Sequence, residues 1–285
     1  MLVETTVNGC RVEIDLPGVP EAAYQAAAAM LDADLSDPKT KNRDAISKVF
    51  EYVLAKCPTA NASDLWHHVV YRHYCNILPR YRPQDPKQSW VRAGGDALEM
   101  SLEHLYSPIL APRGIRIKML LNSKEKINAL AAMGIQATVG AAKLDMTLHV
   151  ARGGDRWAII GGVHVKASLA ERVSDDIPAS RAMMGAGYFS PLWTLDVKSF
   201  PPPRGDLVNR GEFGTLASPS EKRKYIEDHG EFHAAYTAND RSVPSPEVTP
   251  SGKRIFRLNL SNQPDKFAQD VIAWADGEKR QLKRQ

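Results

Sequence analysis

The chain has 285 residues, a formal net charge of +4, and 43% hydrophobic and 25% charged residues, which is typical of a globular protein with a buried core. It has no apolar run of about 18 residues, so a membrane-spanning helix is excluded, and its first residues do not resemble a signal peptide. Three cysteines, Cys10, Cys57 and Cys75, argue against a disulfide framework, and we expect a cytoplasmic protein. The pI of about 8.9 is compatible with a nucleic-acid partner but does not require one.

Residues 1–87 are predicted to form a helical N-terminal subdomain. Apolar residues recur there at helical spacing in three stretches, PEAAYQAAAAMLDADL, NRDAISKVFEYVLAKC and ASDLWHHVVYRHYCNIL. The proline-containing segment YRPQDPKQS is predicted to be a linker.

Residues 88–214 are predicted to form the core of an α/β protein. A helix entered through a glycine pair, a strand IRIKMLL and a helix KEKINALAAMGI come first. The alternating LDMTLHV, the turn RGGDR and the long WAIIGGVHVKASL then predict a hairpin. A helix from about Pro178, with Asp175 or Asp176 near its N-cap, leads to a strand PLWTLDVKSF and a loop rich in proline and glycine.

Residues 215–285 are predicted to form a C-terminal α/β segment packed on the core. Its elements are a charged helix SEKRKYIEDHGEFHAAYT, a proline-rich loop, a strand RIFRLNL and a final helix DKFAQDVIAWADGE. The whole pattern predicts a mixed central sheet flanked by helices.

Asp145 and Lys166 are candidates for a catalytic centre on the predicted hairpin. Asp145 starts the first strand and Lys166 lies late in the second, so an antiparallel pairing brings them to the same end, on the polar faces of their strands. A carboxylate there can hold Mg²⁺, which polarises a phosphate and lowers the pKa of bound water. A neighbouring lysine can orient that water, so the pair suits phosphodiester hydrolysis.

The same segment resembles the core of the PD-(D/E)xK nucleases. Leu144-Asp145 occupies the "PD" position and His164-Val165-Lys166 the "(D/E)xK" position. A histidine replaces the acid. In a subgroup recognising CCGG-type sites a small or neutral residue stands there and the following helix supplies the acid, and this sequence resembles that variant. Asp175 or Asp176 could take that role, or the site could lack the ligand.

Two further motifs extend the resemblance. The helix Gly95–Glu99 resembles the G-x-A-(F/L)-E motif, which implies that Glu99 is a third catalytic residue and holds the metal together with Asp145. The run KASLAER from Lys166 resembles K-x-(S/T)-x-R-(D/E)-R, with an alanine at the first arginine position. The resemblance implies that Ser168, Glu171 and Arg172 face the DNA, where glutamate and arginine can bind cytosine and guanine edges.

Together, these motifs resemble a type II restriction endonuclease. The resemblance implies Mg²⁺-dependent cleavage of double-stranded DNA at a short sequence, leaving 5′-phosphate ends. A palindromic site implies a two-fold homodimer, and a cognate DNA methyltransferase would protect the host. We expect Arg204 and Arg210, in the proline- and glycine-rich loop, to lie near phosphates.

Several residues have alternative interpretations. Asp145 could be a solvent-facing strand residue, Lys166 an edge-strand lysine, and Glu99 part of an exposed helix face with Glu103. Asp196-Val197-Lys198 is a second D-x-K motif, but only a short helix would separate it from its acidic partner.

Alternative functions also stay open. A repair or recombination nuclease of the same fold would recognise DNA structure, and a non-catalytic DNA-binding protein would fit the histidine at position 164. A zinc site is not expected from the cysteines and histidines of the N-terminal region, since they lack zinc-ligand spacing.

Overall fold

The computed structural model describes residues 1–140, 143–170 and 173–282. The strands are β1 (Leu2–Val7), β2 (Cys10–Asp15), β3 (Ile115–Met119), β4 (Met146–Ala151), β5 (Trp157–Lys166), β6 (Leu192–Thr194), β7 (Ala235–Thr237) and β8 (Ile255–Arg257). The last six form one sheet in sequence order. β3, β4 and β5 pair antiparallel, and β5 to β8 pair parallel, so the sheet is mixed, as predicted.

The helices lie before, within and after the sheet strands along the chain. They are α1 (Glu21–Ser36), α2 (Asn42–Lys56), α3 (Ala62–Asp64), α4 (Tyr71–Ile77), α5 (Pro86–Leu110), α6 (Ser123–Ala132), α7 (Val173–Gly185), α8 (Glu221–Glu227) and α9 (Lys266–Leu282). A π-helical turn, Leu65–Val70, joins α3 to α4. The helices flank the sheet, and the predicted fold class is confirmed.

The long helix α5 connects the N-terminal helices to the sheet. Asp85 caps it, since its Oδ1 accepts a hydrogen bond of 2.8 Å from Gln88 N, and Pro86 follows at the first helical position, where its missing N–H costs nothing. The helix packs against α2 on one side and β3 on the other. It therefore brings a side chain from its middle, such as Glu99, to the sheet.

The hairpin β4–β5 forms where the sequence predicts it. Gly153 and Gly154, with φ of 88° and 57°, form the turn, because glycine adopts positive φ without steric cost. Farther along β5, Gly161 lies against Phe189, and a Cβ at this glycine would be 2.2 Å from the Phe189 carbonyl oxygen. The glycine thus allows the chain after α7 to pass directly beside β5.

The first fifteen residues differ from the predicted all-helical region. They form the β1–β2 hairpin, with Asn8 and Gly9 at the turn, φ 51° and 79°. An Asn-Gly pair between alternating residues is a strong signal for such a hairpin, and the helical interpretation of residues 1–87 overlooked it.

Two boundaries in the second half also differ from prediction. The predicted charged helix ends at Glu227, and Ala235–Thr237 form the buried strand β7 instead, because Gly230, with φ 63°, turns the chain back into the sheet. Helix α7 includes residues before Pro178. Asp176 consequently lies in its first turn, where the helix dipole favours a carboxylate.

The main hydrophobic core includes side chains from all three predicted segments. Ile14, Leu102 and Phe267 are members from the N-terminal, central and C-terminal parts. The three predicted segments therefore share one main core. Their boundaries at residues 87 and 214 stay a prediction. No helix in the described ranges is long and apolar enough to cross a membrane.

Candidate active site

Asp145 and Lys166 lie together, as predicted, at one end of the β4–β5 hairpin. Asp145 immediately precedes β4, and Lys166 is the last residue of β5. The Asp145 Oδ2 atom accepts hydrogen bonds of 2.9 Å from Val165 N and 2.8 Å from Lys166 Nζ. The two side chains are only 11% and 16% exposed, respectively, so solvent screens their interaction weakly.

Asp176 is the acidic side chain of α7 that reaches this centre. Its Oδ2 lies 2.7 Å from Lys166 Nζ, whereas the exposed Asp175 pairs with Lys143 at 3.1 Å. The sequence left the choice between these two aspartates open. Only Asp176 lies beside the lysine, because it occupies the buried side of the first turn of α7.

The lysine ammonium is held between two carboxylates. Burial alone lowers the pKa of Lys166, but Asp145 and Asp176 raise it more, so its pKa lies above the usual value. For Asp176, burial raises the pKa, and contacts with His164 and Lys166 outweigh that effect, so its net pKa shift is downward. The Lys166 ammonium and the Asp176 carboxylate therefore carry opposite charges at neutral pH.

His164, at the acidic position of the family motif, lies next to Asp176 in the interior of the protein. The imidazole is fully buried, with Nδ1 3.7 Å from Asp176 Oδ2 and Nε2 3.1 Å from Ser190 Oγ. Its ring lies edge-on to Phe232. The histidine thus lies behind Asp176, and its own position in the strand carries no carboxylate.

Glu99 lies on the α5 face that approaches Asp145. Burial, followed by the charge of Asp145, raises the pKa of Glu99 to about 9. One turn later, the carboxylate of Glu103 accepts a 2.7 Å hydrogen bond from Met119 N. In the chain leaving β3, Leu120 N donates a hydrogen bond of 3.2 Å to Asp145 O. These contacts bring the Glu99 turn of α5 close to the start of β4.

The chemistry of these donors fits a hard divalent cation. Asp145, Asp176 and Glu99 offer carboxylate oxygens, and a positive charge among them would offset the burial and the repulsion from Asp145 that raise the pKa of Glu99. Within the described ranges, no three His, Cys, Asp or Glu side chains are already assembled as a metal cage. Mg²⁺ needs no such cage, because one or two carboxylates, waters and a substrate phosphate suffice.

The second D-x-K motif lies in a different environment. Asp196 is fully buried with φ of 50°, and its Oδ1 accepts a 2.6 Å hydrogen bond from Glu212 N. Burial raises the pKa of Asp196 to about 6. Lys198 N donates to Asn209 Oδ1 at 2.7 Å, so the segment anchors a loop.

The residues predicted to contact DNA have several environments. Ser168 Oγ donates a 2.6 Å hydrogen bond to Glu212 Oε1. Arg204 and Arg210 are exposed on the loop after β6, and Arg210 pairs with Asp206. Glu171 and Arg172 lie outside the described residues.

The histidines of the N-terminal region pack among aromatic rings. His67 stacks on Tyr71, and His73 lies against Tyr24. Burial lowers the pKa of His67 and His73 to about 4. Both histidines therefore belong to the aromatic packing of the helical region.

Glu212 is a buried polar residue that sequence analysis missed. Its contacts with Ser168 and Ala170 join positions 44 and 42 residues apart, so no local motif could identify it. A cavity of about 870 Å³ lies between α2, α5 and the chain after β8. None of the acidic residues described above lines it.

Comparison with known proteins finds similar proteins that match nearly the whole chain. No family model matches it. The chain is similar to the type II restriction enzyme AgeI of Thalassovita gelatinovora, with 47% identity over 271 residues that cover 93% of this chain and 96% of that protein. Its structure is similar to the crystal structure of the specific AgeI–DNA complex, with a TM-score of 0.90, 46% identity, and coverage of 96% of this chain and 99% of that chain.

Proposed function

This chain belongs to the type II restriction endonucleases, which are metal-dependent DNA hydrolases, and we propose that Asp145, Asp176, Glu99 and Lys166 form its active site. Binding and sequence-specific cleavage of DNA are its function. The observation that supports the site most strongly is the Lys166 ammonium, which lies 2.8 Å from Asp145 and 2.7 Å from Asp176.

The proposed metal is Mg²⁺, with Asp145 and Glu99 as ligands and Asp176 as the acid that replaces the one missing at His164. Bound there, Mg²⁺ would polarise the scissile phosphate and lower the pKa of a bound water. Lys166 would orient the attacking water and stabilise the negative charge that develops on the non-bridging phosphoryl oxygens. The oxygen of the water loses a proton to solvent and bonds to phosphorus. The bond to the 3′ oxygen breaks as that oxygen takes up a proton, which leaves 5′-phosphate and 3′-hydroxyl ends.

Sequence recognition is proposed to come from the residues that follow Lys166. Glu171 can accept from cytosine N4 and Arg172 can donate to guanine, which favours a CCGG-containing site. Ser168 is proposed to act at the same groove, and Arg204 and Arg210 to bind phosphates, which fix register rather than sequence. The arginines are exposed on a loop, as phosphate contacts require.

A palindromic site would be bound by a two-fold homodimer, because protein symmetry mirrors site symmetry. We further propose that a cognate DNA methyltransferase protects the same site in the host and that the enzyme acts in the cytoplasm, where that DNA lies. These partners follow from the family rather than from a surface of the described structure.

Plasmid and phage DNA incubated with the purified protein, with Mg²⁺ or with EDTA, test the proposed function. We expect discrete bands with Mg²⁺ alone, and Lys166→Ala should abolish them while retaining salt-sensitive DNA binding. Lys198→Ala, in the second D-x-K motif, is the matched control and should still cut.

A smear would indicate a nonspecific or repair nuclease. Cutting by the Lys166 variant, or its loss in the Lys198 variant alone, would contradict the assignment of the catalytic lysine.

A further inference from the structure

Glu212 is a buried carboxylate that holds the chain just beyond Lys166. Its side chain is 4% exposed. Its Oε1 accepts two hydrogen bonds, one of 2.6 Å from Ser168 Oγ and one of 2.8 Å from Ala170 N. This one oxygen atom therefore holds both ends of residues 168–170, which lead from Lys166 to Glu171 and Arg172.

Apolar packing holds the same short segment from the neighbouring position. Leu169, between the two bonded residues, is fully buried in a cluster that includes Phe213, the residue after Glu212. On the other side, Val197 N donates a 2.9 Å hydrogen bond to Ala167 O. Each of residues 167–170 is thus held by a contact, and residues 212 and 213 take part in three of these four contacts.

Glu212 is itself anchored on a rigid support. Its backbone N–H donates a 2.6 Å hydrogen bond to Asp196 Oδ1. Gly211 has a φ of 73°, and a Cβ there would lie 2.3 Å from Asp196 Oδ2, so only glycine allows this approach. Asp196 also accepts from Ser242. A displacement of Glu212 would disturb this buried network, so the carboxylate has little freedom to move.

A buried carboxylate contributes little net stability to a fold. Desolvation of the charge offsets much of what its hydrogen bonds contribute, and well-packed apolar residues often stabilise a core as well or better. Its hydrogen bonds do, however, fix a backbone N–H in direction, which apolar contacts cannot do. The arrangement at Ala170 is therefore better suited to positioning than to stabilising.

We propose that Glu212 is a positioning residue for sequence discrimination, because it sets the path of residues 168–170 between the catalytic lysine and the base-contacting side chains. The inference rests on the proposed function and adds to it a residue from a distant loop. It predicts that the loss of the Glu212 contacts reduces discrimination between DNA sites more than it reduces the cutting of DNA in general.

Three variants separate the contacts of Glu212 from its charge. Glu212→Ala removes the acceptor, Glu212→Asp keeps the charge but withdraws the oxygen by one methylene, and Glu212→Gln keeps an acceptor oxygen at full length. Glu227→Ala is the matched control, because Glu227 is also a largely shielded carboxylate, at 12% exposure, that accepts from a serine, Ser245, and from an arginine. It lies on α8 and contacts no residue of the 167–170 segment in these bonds.

The experiment measures cleavage rates, at saturating Mg²⁺, on duplexes with the mapped site and on duplexes changed at one base pair. We expect the ratio of the two rates to fall about 10-fold or more in the Ala and Asp variants, which is the size of a lost base contact. Glu212→Gln should stay within about 3-fold of the wild type by the same measure. Glu227→Ala should keep the wild-type ratio even if its melting temperature falls.

An unchanged ratio in Glu212→Asp, or an equal fall in Glu227→Ala, would overturn the proposal. If Glu212→Ala does not fold, the comparison of the Asp and Gln variants decides the question by itself. Failure of the proposed function looks different, because the wild-type protein would then produce no discrete fragments from which a ratio could be measured.

Discussion

At the scale of single residues, the centre depends on which acid reaches Lys166. The ammonium lies between Asp145 and Asp176. The residue next to each acid in the sequence could not take its place beside the lysine. Leu144, on one side, is buried in the core, whereas Asp175 faces outward. The negative charge around the ammonium therefore comes from two individual residues, Asp145 and Asp176.

The aspartate pair of α7 gives a direct test at this scale. Asp176→Ala should reduce single-turnover cleavage by about 100-fold, or roughly 2.7 kcal/mol of transition-state stabilisation, because it leaves Lys166 with one carboxylate. Asp175→Ala, which removes only the exposed pair with Lys143, should cut almost as fast as the wild type. An equal loss in both variants would show that the effect comes from the helix terminus and not from contact with the lysine.

At the scale of secondary-structure elements, close approach of the chain to β5 places α7 and its acid. Gly161 allows the Phe189 carbonyl to lie where a Cβ would be only 2.2 Å away, and Phe189 O accepts a 2.9 Å hydrogen bond from Gly162 N. The chain that follows α7 is thereby joined to the strand that ends at Lys166. The glycine thus contributes to the site without touching it.

Two glycine substitutions test this arrangement through stability. Gly161→Ala should lower the free energy of unfolding by about 3 kcal/mol, because the new methyl group meets backbone that cannot yield. Gly95→Ala is the contrasting substitution: it lies within α5, and no atom lies within 4 Å of the added methyl group. It should raise the free energy of unfolding by about 0.5–1 kcal/mol through lower backbone entropy. Chemical denaturation measures both, and stabilisation by Gly161→Ala would refute the close approach.

At the scale of the whole molecule, burial lowers the pKa of five histidines. Burial lowers the pKa to about 4 for His67, His73, His149 and His233 and to about 3 for His68. An unfolded histidine has a pKa of about 6.5, so the unfolded chain binds more protons at these five positions between about pH 4 and 6.5. Their contribution to stability is therefore present above that window and is lost as the pH falls through it.

We expect the melting temperature to decrease as the pH falls from 7 to 5. Four carboxylates, Glu99, Asp196, Asp64 and Asp265, oppose this trend, because burial raises their pKa values and the folded state keeps their protons, but the five histidines outnumber them. His149→Gln keeps a polar partner for Thr147, which lies 2.9 Å from the ring, and removes one titrating group. Its melting temperature should depend less steeply on pH, and a slope equal to the wild type would contradict the buried-histidine explanation.

Local sequence patterns determined the β4–β5 hairpin and its chemistry. Alternation of apolar residues, a glycine turn and an Asp and a Lys at matching ends are all local features, and these two residues lie within hydrogen-bond distance in the structure. Helix α5 was predicted only in part, because residues 86–89, which belong to the predicted linker, form its first turn after the Asp85 cap. The mixed sheet was also predicted. Turn chemistry at Asn8-Gly9 was equally local, but the helical pattern around it obscured the signal.

Tertiary structure alone decided the remaining features of the site. Asp175 and Asp176 are adjacent in the sequence, and only the packing of α7 determines which of them faces Lys166. The buried strand β7 belongs to a segment that predicts a helix, because a short apolar run buried on both sides has no distinctive period. Glu212 meets Ser168 across 44 residues. Local periodicity carries no information about such a contact, since it forms only when the sheet brings two distant loops together.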